Sequence, residues 1–68
     1  MEWMLQFFQY DHLPEKLRDA SKPFCDLAHK VVDEFPENPE RTVALRKLLE
    51  CKDAAVRAVL AGPTPRRT

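Results

Sequence analysis

A short segment with two prolines constrains the fold of this chain more than any other feature. Residues 35–40, with the sequence FPENPE, separate two stretches that show helical periodicity. Proline lacks a backbone N–H and crowds the preceding turn, so a helix does not continue through Pro36. Asn38 is a favourable N-cap, and Pro39 suits the first helical position after it. We therefore predict two helices joined by a short connection, which makes them antiparallel neighbours.

The first predicted helix covers residues 14 to 35, with Pro14 at its first position. Its apolar residues recur in steps of three and four, which places them on one face of a helix. These residues are Leu17, Ala20, Phe24, Leu27, Ala28, Val31, Val32 and Phe35. Pro23 interrupts the pattern. Because a proline inside a helix removes a hydrogen bond, we expect either a kink or two helical pieces that meet near Ser21 and Lys22.

The second predicted helix runs from Pro39 to Ala61. Gly62 is suited to end it, and Pro63 cannot continue it. The chain then divides into an aromatic-rich segment of residues 1–12, called here the N-terminal arm, a helical hairpin of residues 13–62 and a disordered tail of residues 63–68. A chain of 68 residues buries only about 60% of its unfolded surface. We therefore predict an all-α, antiparallel helical hairpin that completes its core by assembling into a compact homo-oligomer.

Composition excludes several classes of function. The 11 basic and 11 acidic residues give zero net charge, which argues against binding duplex DNA or RNA. No segment approaches the about 20 apolar residues of a membrane span. The start, MEWMLQFF, lacks the pattern of a secretory signal. We therefore expect a reducing cytoplasm in which Cys25 and Cys51 stay free and act as small core hydrophobes. Their spacing fits no zinc site, and we expect neither a metal nor a cofactor.

Motifs of catalysis are missing from the sequence. It has no glycine-rich phosphate loop and no nucleophile elbow. Cys25 and His29 are four residues apart and could touch on a helix, but no third group is present to orient a base. We therefore expect a protein that is not an enzyme and has no catalytic residues.

Two cations lie on the apolar side of the second helix. At about 100° per residue, Arg41 and Lys52 project within the arc of its leucines and valines. One explanation is that their stems cover apolar surface while their charged heads reach water. The other is an anion site at a helix–helix seam, where Arg grips phosphate with two donors and Lys acts as a point charge. In that case Thr42 adds a hydroxyl, and the N-terminus of the helix adds free N–H groups.

Aromatic and basic residues elsewhere are weaker candidates. Phe8 and Tyr10 could stack on a nucleobase, although aromatic rings also serve to cover the open side of a hairpin. Lys22 lies at the Pro23 break, and its side chain either contacts a ligand or points to solvent. Arg57 belongs to a charged face of the second helix, and the alternating signs of its charges indicate an ordinary solvated surface.

Several short segments of this chain resemble one family. They are FQY at residues 8–10, the proline break near Pro36, ERTVAL at residues 40–45 and KDAAVRAVL at residues 52–60. In order and spacing they resemble the anti-CBASS cyclic-oligonucleotide sponges of phages, whose small helical hairpin is shared with a Thoeris anti-defence sponge. The resemblance covers about residues 8–61, which is nearly all of the predicted ordered chain.

This resemblance implies a function. Members of the family bind cyclic dinucleotides such as cGAMP, and some bind cyclic trinucleotides. They hold these second messengers of bacterial antiphage defence without cleaving them, so the CBASS effector is not activated. They form homo-oligomers, typically hexamers, with ligand pockets between protomers. The implied location is the cytoplasm of the infected bacterial host.

The resemblance also implies roles for individual residues. Tyr10 is the first candidate for base stacking, and Arg41 and Thr42 are candidates for phosphate or ribose contacts. The family has a functional lysine on its first helix, for which Lys22 is the candidate. Three further residues complete the predicted ligand-binding set because of their position and residue type: Lys52, Arg57 and Phe8.

Two other functions remain open at this level. The first is a small helical oligomerisation module, or a host-protein-binding module, without a nucleotide ligand. It explains the helices and the apolar stripes equally well, but it gives no reason for Arg41 and Lys52 to lie on the stripe. The second is a small nucleic-acid-binding protein with its second helix in a groove. The zero net charge weighs against it.

Overall fold

The computed structural model describes residues 2–64, and over this range the chain is all-helical, without a strand. A 3-10 helix covers Trp3–Phe8, α1 covers Glu15–Glu34 and α2 covers Pro39–Ala61. Residues 35–38 connect α1 to α2, and these two long helices pack against each other, as expected of a helical hairpin. Residues 65–68, most of the predicted tail, lie outside the described range. Assembly into an oligomer stays a prediction.

The helix α1 passes through Pro23 without interruption, so the predicted alternative of two helical pieces is wrong. Pro23 cannot donate a hydrogen bond to the carbonyl of Asp19, but both residues are exposed, and water can satisfy that carbonyl. The opposite face of α1 is buried on both sides of the proline, at Ser21 and Cys25. Burial of this face outweighs the loss of one hydrogen bond.

The ends of α2 follow the local signals in the sequence. The Asn38 side chain accepts a hydrogen bond from the backbone N–H of Arg41 at 2.9 Å, which makes it the predicted N-cap. Pro39 occupies the first turn. At the other end Gly62 adopts a φ of 71°, which favours glycine, and its N–H donates to the carbonyl of Ala58 at 3.1 Å. The predicted bounds of α2 are confirmed.

The core has three sides because the N-terminal arm packs onto the hairpin. Phe8 from the arm and Leu45 from α2 are fully buried at its centre. The other buried apolar residues are Met4, Leu5, Cys25, Ala28 and Val31. The 3-10 helix therefore supplies the surface that two helices alone would leave uncovered.

Apolar side chains also remain outside this core. The described residues include six large hydrophobic side chains on the surface, and Trp3 and Leu60 are the most exposed, at 66% each. In α2, all of which is described, Leu45 is the single fully buried residue. None of the helices within residues 2–64 is long and apolar enough to cross a membrane.

Candidate functional site

The guanidinium of Arg41 joins three segments of the chain. Its Nη1 donates to the backbone carbonyls of Val32 and Phe35, at 3.2 and 3.3 Å. Its Nη2 donates to Oε2 of Glu2 at 3.1 Å. The carbonyls in the last turn of a helix have no partner within the helix, and Arg41 supplies one for Val32 in α1. The cation on the apolar stripe therefore caps α1 and holds the start of the N-terminal arm.

An open cleft of about 440 Å³ lies beside this cluster and is called here the Arg41 cleft. Its walls are Glu2, Trp3, Val32, Glu37, Arg41 and Thr42. It thus brings together two predicted ligand residues, Arg41 and Thr42, with the largely exposed ring of Trp3. Two carboxylates also line it, and one of them already holds Arg41.

The second predicted pair of cations meets in another place. Lys52 and Arg57 line a groove of about 290 Å³ between α2 and the N-terminal arm, called here the Lys52 groove. Its polar and aromatic walls include Phe7, Gln9, His12 and Asp53. The Lys52 side chain is only 14% exposed, and its Nζ lies 3.0 Å from Oδ1 of Asp53. Lys52 thus keeps its charge close to a carboxylate, with its stem on the covered side of α2.

Lys22 and Tyr10 line neither of these two cavities. Lys22 is exposed, and its Nζ donates to Oδ2 of Asp26 at 2.8 Å, one helical turn along α1. This hydrogen bond and the negative charge of Asp26 raise the pKa of Lys22, and Tyr10 contributes electrostatically in the same direction. Tyr10 is half-buried against the core. Lys22 therefore already has a carboxylate partner at the surface.

Phe8 has no exposed surface, so a base has no face of this ring to stack on in the described structure. The exposed rings of the arm are those of Trp3 and Phe7, which contact each other edge to face at 5.3 Å between centroids. Sequence reasoning missed both rings. Adjacent residues of a 3-10 helix project in different directions, and in this arm Phe8 faces the hairpin while Phe7 is exposed.

The predicted ligand residues therefore fall into separate groups. Neither cleft contains more than two of them. Arg41 and Thr42 line one cavity, Lys52 and Arg57 line the other, and Lys22 and Tyr10 line neither.

The two cysteines differ in their surroundings. Cys25 is buried, as predicted, and burial raises the pKa of its thiol. Cys51 is exposed, so its prediction as a core residue is wrong: α2 turns it away from the arm and α1. Within residues 2–64, no group of three or more His, Cys, Asp or Glu side chains could hold a metal ion.

A scan against protein-family models finds no match to this chain, and searches of curated proteins and of solved structures find none either.

Proposed function

We propose that this chain binds cyclic oligonucleotides and sequesters them without cleavage, as a phage anti-defence protein acting in the cytoplasm of the infected bacterium. The observation that carries the proposal is the Lys52 groove, where two cations and a half-exposed aromatic ring converge on one concave surface. The resemblance in sequence supplies the class of ligand. The ligands proposed are cyclic dinucleotides, with cyclic trinucleotides as a second class.

The groove offers the groups that a nucleotide needs. Lys52 has three N–H donors, so an ion pair with Asp53 leaves donors free for a phosphate oxygen. Arg57 is exposed and can bind two oxygens of a second phosphate with parallel donors. The ring of Phe7 provides a flat surface on which a base can stack. These contacts would hold a ligand by its phosphates and one base.

The size of the groove supports assembly. Ligand sites usually enclose about 300–1,000 Å³, and the Lys52 groove, at about 290 Å³, is at the lower limit for a ligand with two bases. A second protomer would close the groove and enlarge the site. The exposed apolar side chains of the arm and of α2 provide surface for that contact. We propose a homo-oligomer, with a hexamer as the state that the resemblance implies.

A second candidate function is a helical module that binds a host protein or only itself. The exposed, touching rings of Trp3 and Phe7 favour it, because contiguous apolar surface commonly marks interfaces between proteins. This function requires no nucleotide. It also gives no reason for Lys52, Arg57 and Phe7 to line one groove.

Calorimetric titration with a panel of cyclic dinucleotides and trinucleotides separates the two candidates. Each complex is then denatured by heat, and the released nucleotide is analysed for cleavage. Binding with intact nucleotide recovered is the expected result and names the ligand. Binding with cleaved nucleotide would mean an enzyme. Absence of binding across the panel would leave the protein-binding module as the function.

A further inference from the structure

The ion pair between Glu2 and Arg41 is almost enclosed by the protein. The side chains are 13% and 10% exposed, and they lie 39 positions apart in the chain. The other salt bridges among residues 2–64 join residues no more than four positions apart, and each includes a side chain that is about half exposed or more. Glu2–Arg41 is therefore the one ion pair here that links distant segments.

Arg41 is held in place independently of Glu2. The carbonyls of Val32 and Phe35 accept hydrogen bonds from its Nη1. Both acceptors are uncharged, so Glu2 supplies the negative charge at this guanidinium among the described residues. Carboxylates and phosphates both bind arginine through oxygen acceptors in the plane of its donors. The Glu2 carboxylate thus occupies a position suited to a phosphate group.

Glu2 can leave this position without taking the arm apart. Its backbone carbonyl accepts a hydrogen bond from the N–H of Leu5 at 3.1 Å, and this bond anchors the start of the 3-10 helix. Met4 and Leu5 hold the arm on the core. Only the side chain of Glu2 has to turn, and the Arg41 cleft is the open space next to it.

We propose that Glu2 is an autoinhibitory latch, a built-in anion that competes with the phosphate of a ligand for Arg41. The inference rests on the proposed function for the identity of the ligand and on the geometry at Arg41 for the competition. A phosphate enters the Arg41 cleft against Thr42 as the Glu2 carboxylate leaves. The latch reduces the apparent association constant of the site to its intrinsic value multiplied by the fraction of molecules in which the latch is open.

The chain supplies its own reporter and its own control. Trp3 is the single tryptophan, follows Glu2 directly and lines the cleft, so its fluorescence reports on this site. Glu37 lines the same cleft and makes no salt bridge within residues 2–64. Glu2→Gln and Glu37→Gln therefore remove the same charge from the same cleft, but only the first variant opens the latch.

The experiment titrates inorganic pyrophosphate into the wild-type chain and both variants and follows Trp3 fluorescence. If the latch is closed in about nine of ten molecules, Glu2→Gln tightens binding by about tenfold. Glu37→Gln should give a clearly smaller gain, and adding Arg41→Lys to Glu2→Gln should abolish the gain. Equal affinities of wild type and Glu2→Gln, or equal gains in both glutamine variants, would overturn the latch.

The same titration with a cyclic dinucleotide separates this inference from the proposed function. Tighter pyrophosphate binding by Glu2→Gln without any binding of cyclic nucleotides would support the latch and contradict the proposed function. Binding of both pyrophosphate and the cyclic nucleotide that is equal in wild type and Glu2→Gln would support the function and overturn the latch. If neither probe binds any of the variants, both proposals fail.

Discussion

The Nη2 atom of Arg41 lies 3.1 Å from Oε2 of Glu2, and this contact ties the start of the N-terminal arm to the first turn of α2. The same guanidinium reaches the end of α1 through its other nitrogen. Arg41, a cation on the apolar stripe, thus has a structural role, because protein groups accept the hydrogen bonds of its guanidinium. Arg41 holds all three helical elements at one end of the hairpin.

Replacement of Arg41 by alanine should destabilise the fold. The variant loses hydrogen bonds from a charged donor to two carbonyls and a carboxylate, and Glu2 is left poorly solvated. We expect the free energy of unfolding to fall by about 2–3 kcal/mol in urea denaturation. Arg46→Ala, on the exposed side of α2, is the matched control and should change it by less than about 0.5 kcal/mol. Equal effects of the two substitutions would contradict the structural role of Arg41.

Substitutions in the Lys52 groove should weaken binding of cyclic dinucleotides. Lys52→Gln and Arg57→Gln each remove a charged donor, for which we expect about a tenfold loss of affinity by calorimetry. Lys47→Gln is the control, because Lys47 is also on α2 but is 71% exposed and lies outside the groove. The groove is not the binding site if all three variants bind as the wild type does.

The two cysteines should react at different rates with a thiol reagent. The thiolate is the reactive form, and burial of Cys25 raises its pKa and limits access to it. At pH 8 we expect Cys51 to be labelled at least about ten times faster, as measured by mass spectrometry of peptides. Labelling of Cys25 in denaturant provides the reference. Equal rates in the native state would show that Cys25 is not protected by the core.

Stability should also decline in alkaline solution through Cys25. Its pKa in the folded chain is raised above the reference value of 9.0. The stabilising contribution is therefore complete below about pH 9 and is lost as the pH rises, because the unfolded chain ionises first. Urea denaturation at several pH values should show a steeper decline for the wild type than for Cys25→Ala. Parallel curves would contradict this assignment.

Self-association should be detectable by the molar mass in solution. At micromolar concentrations we expect light scattering to give a mass well above the 7.9 kDa of one chain. Leu60→Lys should lower this mass while helical content is kept, since Leu60 is exposed in the protomer and its replacement leaves the core unchanged. A wild-type protein that remains a monomer would remove the proposal of a site between protomers.

Local features of the fold were predictable from the sequence, and distant contacts were not. Asn38, Pro39 and Gly62 act on neighbouring residues, so they set the ends of α2 as predicted. The continuity of α1 through Pro23 depends on burial of the helix face opposite the proline. The periodicity of the sequence does not show whether that burial outweighs one lost hydrogen bond. The pairing of Arg41 with Glu2 spans 39 positions, far beyond the spacing of three or four that a helix relates.

The candidate site shows the same division. The helical repeat predicted that Arg41 and Lys52 lie toward the packed side of α2, and their side chains are indeed 10% and 14% exposed. The choice between Phe7 and Phe8 as the accessible ring depends on how the arm packs. That packing is a tertiary contact, and no rule of residue spacing supplied it.

The most direct test of sequestration is to measure a CBASS effector enzyme that a cyclic dinucleotide activates. Increasing amounts of the protein are added at a fixed concentration of the dinucleotide, and each mixture is then heated to denature the protein before a fresh effector is added. We predict that the protein inhibits the effector in proportion to its concentration and that heating restores full activation. Inhibition that persists after heating would mean that the nucleotide is destroyed, and an unchanged effector activity at an excess of protein would contradict sequestration.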